Sequence, residues 1–199
     1  MNEHILQTAV TPEERMARNG HPGMVVWFTG LSGAGKTTLA RAVERLLWAR
    51  GHRTFLIDGD LLRGDLCADL GFGLADRREN VRRASVVARL MAQAGMICLT
   101  ALISPFQEDR RRARALLPPG RFVEVFVNAP LAVCEQRDPK SLYRKARAGV
   151  LPDFTGISSP YEVPEAPELE IRTDAQTVEE SAATVLAGLE ARSLLRWPL

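Results

Sequence analysis

The sequence predicts an α/β fold, a doubly wound parallel sheet of about five strands flanked by helices. Three observations carry that prediction. Short β-branched and aromatic runs alternate along the chain with longer segments whose apolar residues recur at helical spacing. The runs before the last are apolar on largely consecutive rather than alternate residues, as in strands covered on both faces. Glycine-rich and acidic turns follow the runs, at the edge where ligands bind in such sheets.

Taken in order, residues 1–23 form a polar leader that lacks the basic-then-apolar order of a secretory signal. Met24-Val25-Val26-Trp27-Phe28-Thr29 is the first strand, stopped by glycine. Residues 37–50 place Leu39, Val43, Leu46 and Leu47 on one helix face, and Gly51 supplies the stop. Thr54-Phe55-Leu56-Ile57 is the second strand, ending in Asp58-Gly59-Asp60. Residues 76–94 carry Val81, Ala84, Val87, Ala88 and Met91 on one face of a helix that Gly95 ends. A third strand spans 97–103, a charged helix 107–117 is stopped by Pro118-Pro119-Gly120, a fourth strand spans 122–127, and 131–137 is a short helix. From 138 to 167 the composition shifts to Lys, Arg, Gly, Pro and Ser, which predicts a basic, mobile lid inside one domain of residues 24–199. A fifth strand at 169–172 and a helix at 177–191, with Val178, Ala182, Val185 and Leu189 inward, close the chain.

The 199 residues make one domain's worth of chain, and 46% apolar with 25% charged residues excludes disorder for most of it. The longest apolar stretches fall far short of the roughly 18 residues that span a bilayer, so the cytoplasm is the expected location. A net charge of +2 offers no general reason to bind nucleic acid or a membrane. Cys67, Cys98 and Cys134 form no C-x-x-C pair and are expected to be small buried residues. Arginine outnumbers lysine 23 to three, so Lys36, Lys140 and Lys145 stand out as places where a compact ammonium is kept.

Gly30-Leu31-Ser32-Gly33-Ala34-Gly35-Lys36-Thr37 matches G-x-x-x-x-G-K-[ST] between a predicted strand and a predicted helix, which makes the sheet P-loop NTPase-type. Backbone N–H groups and the helix N-terminus face an anion, Lys36 reaches the β- and γ-phosphates of ATP, and the Thr37 hydroxyl ligates Mg²⁺. If strand geometry persists, Asp58 and Asp60 lie on a similar side, where one carboxylate holds Mg²⁺ through water and the other accepts the proton of an attacking hydroxyl. Asp60, close to Arg63, is the favoured acceptor; a helix N-cap is the competing role for either. Arg77, Arg78, Arg82 and Arg83 read singly as a solvated face and, with Arg63, as a second anion site. Phe72, flanked by Gly71 and Gly73, reads as a core residue before it reads as a base-stacking plate.

Laid out in order, the phosphate loop, Asp58-Gly59-Asp60 with Arg63, Leu70-Gly71-Phe72, Asp76-Arg77 with Glu79-Asn80, Ile103-Ser104-Pro105-Phe106, Arg137-Asp138-Pro139-Lys140, Lys145-Ala146-Arg147-Ala148-Gly149 and Phe154-Thr155-Gly156-Ile157 resemble the adenylylsulfate kinase family. The resemblance covers essentially the whole chain from residue 20. It implies transfer of the ATP γ-phosphoryl group to the 3′-hydroxyl of adenosine 5′-phosphosulfate. It further implies that Ser32, Gly33, Ala34, Gly35, Lys36, Thr37 and Thr38 hold ATP and Mg²⁺, with Asp58 beside the metal, and that Arg137 packs on the ATP adenine. Asp60 would act on the 3′-hydroxyl. Arg63, Arg77 and Asn80 would hold the phosphosulfate nucleotide, Phe72 and Phe154 would sandwich its adenine, and Ile103, Ser104 and Lys140 would line its pocket. This reverses the core reading of Phe72. A phosphorylated Ser104 belongs to the family's description, but phosphoryl transfer needs chiefly alignment and charge neutralisation, so direct transfer is favoured. Its competing role is a helix N-cap before Pro105.

The resemblance also implies a homodimer and a functional link to ATP sulfurylase. Leu61, Ser141, Arg144, Ser158 and Pro22 depart from the usual family residues and remove none of the proposed phosphate ligands. Two rival readings remain at this level: a related kinase for another small hydroxyl acceptor, and a nucleotide-binding subunit without turnover.

Overall fold

A computed structural model describes residues 10–195. Five strands, β1 (Met24–Thr29), β2 (Thr54–Asp58), β3 (Ile97–Ala101), β4 (Phe122–Asn128) and β5 (Leu169–Arg172), pair in the order β2-β3-β1-β4-β5, all parallel. The eight helices of the described residues are α1 (Pro12–Asn19), α2 (Lys36–Ala49), α3 (Gly59–Gly64), α4 (Leu74–Gln93), α5 (Gln107–Ala115), α6 (Leu131–Arg137), α7 (Leu142–Arg147) and α8 (Val178–Ala191). None is long and apolar enough to cross a membrane.

Consecutive apolar residues in β1 allow both sheet faces to be covered. Val26 and Phe28 pack with Leu39, Val43 and Leu47 of α2 and Val185 and Leu189 of α8, while Val25 and Trp27 pack with Val81, Ala84 and Ala88 of α4. The chain leaves β1, crosses to the edge at β2, returns beside β1 as β3, and then continues on the other flank. β1 is therefore the point at which strand order reverses, and the crevice beyond its C-terminal end is the expected ligand site.

Several expectations are corrected. Leu46 is 37% exposed, because α2 turns Ala40 rather than Leu46 toward the sheet. Val87 and Met91 are only partly buried beside α4's small-residue seam of Ala84, Ala88 and Ala92. β3 ends at Ala101, two residues early, because Ser104 takes a positive φ of 39° and the chain turns away from the sheet. The leader contains α1, started by a reciprocal cap in which the Glu14 N–H donates to Thr11 Oγ1 and the Thr11 N–H donates to Glu14 Oε2. Residues 1–9 of the leader lie outside the described residues. Cys67, Cys98 and Cys134 are buried.

The charged helix α5 buries two of its charges. Arg110 Nε donates to Glu124 Oε1 of β4 at 2.7 Å, with side-chain exposures of 3% and 10%, and Arg114 lies 3.4 Å from the other Glu124 oxygen. Removing one partner of such a pair leaves the other charged and dry. Arg110→Met is therefore expected to lower unfolding free energy by about 3 kcal/mol in urea titration. Adding Glu124→Leu should recover only part of the loss, because the Ser104 and Glu162 carbonyls still lack the donors that Arg110 supplied.

Candidate active site

The turn after β1 is built on glycines that no other residue replaces. At Gly30 a Cβ would stand 2.3 Å from the Val127 carbonyl oxygen, and at Gly33, with φ 75°, 2.8 Å from that of Cys134. The loop thus folds flat onto β4 and α6 before α2 begins at Lys36. Lys36 is 8% exposed and donates to the Leu31 carbonyl at 2.7 Å. Burial pulls its ammonium down to about 8; Lys140 acts in the same direction, while Cys134, Asp60 and Asp58 oppose it.

Thr37 Oγ1 donates to Asp58 Oδ2 at 2.8 Å, and Asp58 Oδ1 accepts the Asp60 N–H at 2.8 Å. Asp58 therefore serves the phosphate loop and the N-cap of α3 at once. Asp60 is a correction: it belongs to the first turn of a helix that the sequence reading did not contain, so the two carboxylates do not share a strand face. Asp60 is exposed and forms an ion pair with Lys140 of the segment that follows α6.

A cavity of about 680 Å³ runs from this loop across the C-terminal ends of the strands. Ser32, Gly33, Gly35, Lys36, Thr37, Thr38, Asp58, Asp60 and Arg137 line it, together with Arg63, Phe72, Arg77, Asn80, Ile103, Ser104, Lys140 and Phe154. Gly30 and Ala34 are buried in the loop and shape it from below. At the end away from the phosphate loop, the Arg63 guanidinium lies 4.3 Å above the Phe72 ring and donates to the Gly71 carbonyl at 2.9 Å. Phe72 is 64% exposed, which overturns the core reading of it. Arg77 donates to Thr155 Oγ1 at 2.8 Å and to the Asp153 carbonyl, so α4 holds the 138–167 segment directly. Burial pulls both guanidinium groups below their ordinary value, a cost that an anionic ligand offsets. Asn80 is 5% exposed, and its Nδ2 has no partner. A buried amide of that kind is a donor set for a ligand. Arg82 and Arg83 instead pair with Glu79, and Arg83 also with Asp69, on the outer face of α4.

Ser104 is 2% exposed, receives the Trp27 indole N–H at 3.0 Å and donates to Thr29 Oγ1 at 3.0 Å. It does not cap α5, whose N-cap is Phe106. Its hydroxyl proton is already committed, which fits direct transfer better than a serine nucleophile.

Other residues of the site escaped the sequence reading. Tyr143 of α7 donates its hydroxyl to the Ser32 carbonyl at 2.9 Å and meets the Phe154 ring edge-on at 5.0 Å, tying the covering segment to the phosphate loop. Thr173 donates to the Ala34 carbonyl at 2.8 Å and offers its own carbonyl to Arg137 at 2.6 Å. The available signal for Thr173 was its place just past a predicted strand end. Ser158 accepts the Phe154 N–H at 2.9 Å, so this departure from the family residue closes the turn that carries Phe154.

A family model described as Adenylylsulphate kinase matches residues 22–172. The chain is 56% identical over 186 residues, 94% of this chain and 92% of the other, to an adenylyl-sulfate kinase of Geotalea daltonii. Among solved structures it is similar to the Mycobacterium tuberculosis APS kinase in complex with AMPPNP and APS, with a TM-score of 0.81 and 48% identity over 85% of this chain and 99% of that one. It is also similar to a hexameric APS kinase from Thiobacillus denitrificans, with a TM-score of 0.69 and 35% identity over 94% of this chain and 33% of that one.

The lowered pKa of Lys36 has a consequence for anion binding. A triphosphate needs the protonated ammonium, and the free protein loses that proton near pH 8. Affinity for a non-hydrolysable ATP analogue should therefore fall roughly fivefold from pH 8 to pH 9, the loss expected of one group titrating at about 8. Calorimetry should record proton uptake on binding in that window, and Lys36→Met, binding more weakly, should show neither effect.

Proposed function

The chain belongs to the adenylylsulphate kinase family, and from that premise we propose how its residues transfer the γ-phosphoryl group of ATP to the 3′-hydroxyl of adenosine 5′-phosphosulfate, yielding 3′-phosphoadenosine 5′-phosphosulfate and ADP. The observation that carries the reading is one cavity joining the phosphate loop to the Arg63, Phe72, Arg77, Asn80 and Phe154 set, with Asp60 between them in the chain's layout. The loop and Lys36 bind the ATP phosphates, while Arg137 and Thr173 border the donor base. Arg63, Arg77 and Asn80 offer donors to the phosphosulfate nucleotide, and Phe72 and Phe154 offer aromatic faces to its adenine. Asp60 accepts the proton of the 3′-hydroxyl as that oxygen attacks the γ-phosphorus. The ion pair with Lys140 joins Asp60 to the lid, residues 138–167, in the free protein, so that lid movement reaches the reacting centre. Alignment and charge neutralisation supply most of the rate in such transfers.

Mg²⁺ fits the hard oxygen donors of Thr37 and Asp58. No group of three or more acidic, histidine or cysteine side chains able to hold a metal occurs among the described residues. This suits an ion that completes its shell with phosphate oxygens and water. Bound there, it would neutralise charge on the β- and γ-phosphates. A homo-oligomer is supported by the hexameric relative, and we read this chain as a cytoplasmic homodimer functionally linked to ATP sulfurylase, whose product it consumes.

Purified protein given ATP, Mg²⁺ and adenosine 5′-phosphosulfate is expected to form the 3′-phosphorylated product, and not to phosphorylate AMP, adenosine or simple alcohols offered in parallel. Formation of ADP with one of those acceptors alone would assign a different kinase. Asp60→Asn should lower kcat by at least about a hundredfold while leaving ATP affinity unchanged.

A further inference from the structure

Beneath the acceptor end of the cavity lies a closed chain of hydrogen bonds centred on Thr29, the last residue of β1 and fully buried. Its Oγ1 lies 2.8 Å from the Ile103 carbonyl, 3.0 Å from Ser104 Oγ and 3.0 Å from the Tyr161 hydroxyl. A hydroxyl carries one proton and two lone pairs. The carbonyl can only accept, so the Thr29 proton goes to Ile103. Ser104 and Tyr161 must then both donate to Thr29. Ser104 Oγ in turn accepts from Trp27, whose indole nitrogen is a donor only. The shortest contacts thus give each proton one acceptor; the alternatives are longer, the Leu102 carbonyl 3.4 Å from Ser104 Oγ and the Ser104 carbonyl 3.5 Å from Thr29 Oγ1.

The two ends of this chain belong to different parts of the site. Ile103 and Ser104 line the cavity, and Ser104 is held at φ 39°, a conformation uncommon for a residue with a side chain. Tyr161 belongs to the last part of the 138–167 segment, its ring stacked on Phe126 at 6.1 Å. Arg110 repeats the connection on the backbone, donating to the carbonyls of Ser104 and Glu162 at 2.7 Å each.

We propose that Thr29 and Tyr161 are positioning residues for the acceptor nucleotide: the Thr29 hydroxyl fixes the Ile103–Ser104 wall of the pocket and couples it to the root of the lid through Tyr161. Among the described residues no hydrogen bond of these side chains reaches the phosphate loop, which meets Thr29 only through the backbone at Gly30, so the loss of a hydroxyl is felt chiefly by the acceptor. This inference rests on the assignment of the acceptor pocket given above.

Kinetics and calorimetry on three variants test it. Tyr161→Phe keeps the stacked ring and removes one donor; the KM and the calorimetric Kd for adenosine 5′-phosphosulfate should rise about fivefold, the worth of one hydrogen bond, with the KM for ATP unchanged. Thr29→Val should have a larger effect of the same kind, and Thr29→Ser should restore wild-type values. Equal rises in both KM values, or an unchanged acceptor KM with a lowered Tm, would overturn the inference and leave the chain a purely structural device. A wild-type protein that binds adenosine 5′-phosphosulfate without turning it over would refute the kinase reading instead, and the calorimetric arm would still decide the positioning role.

Discussion

The hydrogen bond from Thr37 to Asp58 is the contact on which the site depends. Thr37 sits in the first turn of α2, held there by the loop after β1, while Asp58 ends the edge strand β2, and β3 lies between the two strands. The bond is possible only because strand order brings the C-terminal ends of β1 and β2 to one edge of the sheet. Asp58 then uses its second oxygen to cap α3, so the same carboxylate that steadies the phosphate loop also sets the helix carrying Asp60 and Arg63. The phosphate-loop end and the Arg63–Phe72 end of the cavity are thereby spaced from one residue.

Charge is handled differently on the two sides of the sheet edge. Arg110 and Glu124 are buried as a matched pair whose remaining donors go to Ser104 and Glu162 carbonyls, so this charge is spent on holding the chain in place. Lys36, Arg63 and Arg77 are desolvated with carbonyl or hydroxyl partners in place of carboxylates, and burial lowers the pKa of each. Cations kept partly dry without a matching anion bind one strongly when it arrives, because association removes a cost already present in the free protein. Among the described residues, two carboxylates outside the 138–167 segment are bridged to it, Asp60 through Lys140 and Glu135 through Arg147.

The segments most readable in the sequence were those whose signals are local. The five strands, the helix after the phosphate loop and α6 stand within a residue or two of their expected bounds, since continuous apolar runs and capped periodic stretches need no distant partner to be recognised. α1 has such a signal too, in Thr11-Pro12-Glu13-Glu14 followed by Gly20, but it buries no residue and so carries no apolar face to accompany its cap. α3 gave little warning: six residues are too few for periodicity, and its cap is an aspartate that also serves as the terminus of a strand. In α5, Arg110 looks like any other arginine in Arg110-Arg111-Arg112, and only its contact with Glu124, fourteen residues away, distinguishes it.

By itself the sequence determined the phosphate loop, the parallel character of the sheet and the family likeness, because each is written in spacings of a few residues that constrain the backbone directly. Tertiary structure alone decided which hydroxyls and charges meet. That Ser104 is tied to Trp27 and Thr29 rather than capping a helix, that Phe72 stands exposed under Arg63, and that Tyr143 and Thr173 brace the phosphate loop all depend on side chains whose partners are mostly tens of residues away. Such pairings follow from strand order and helix docking, which no local spacing encodes.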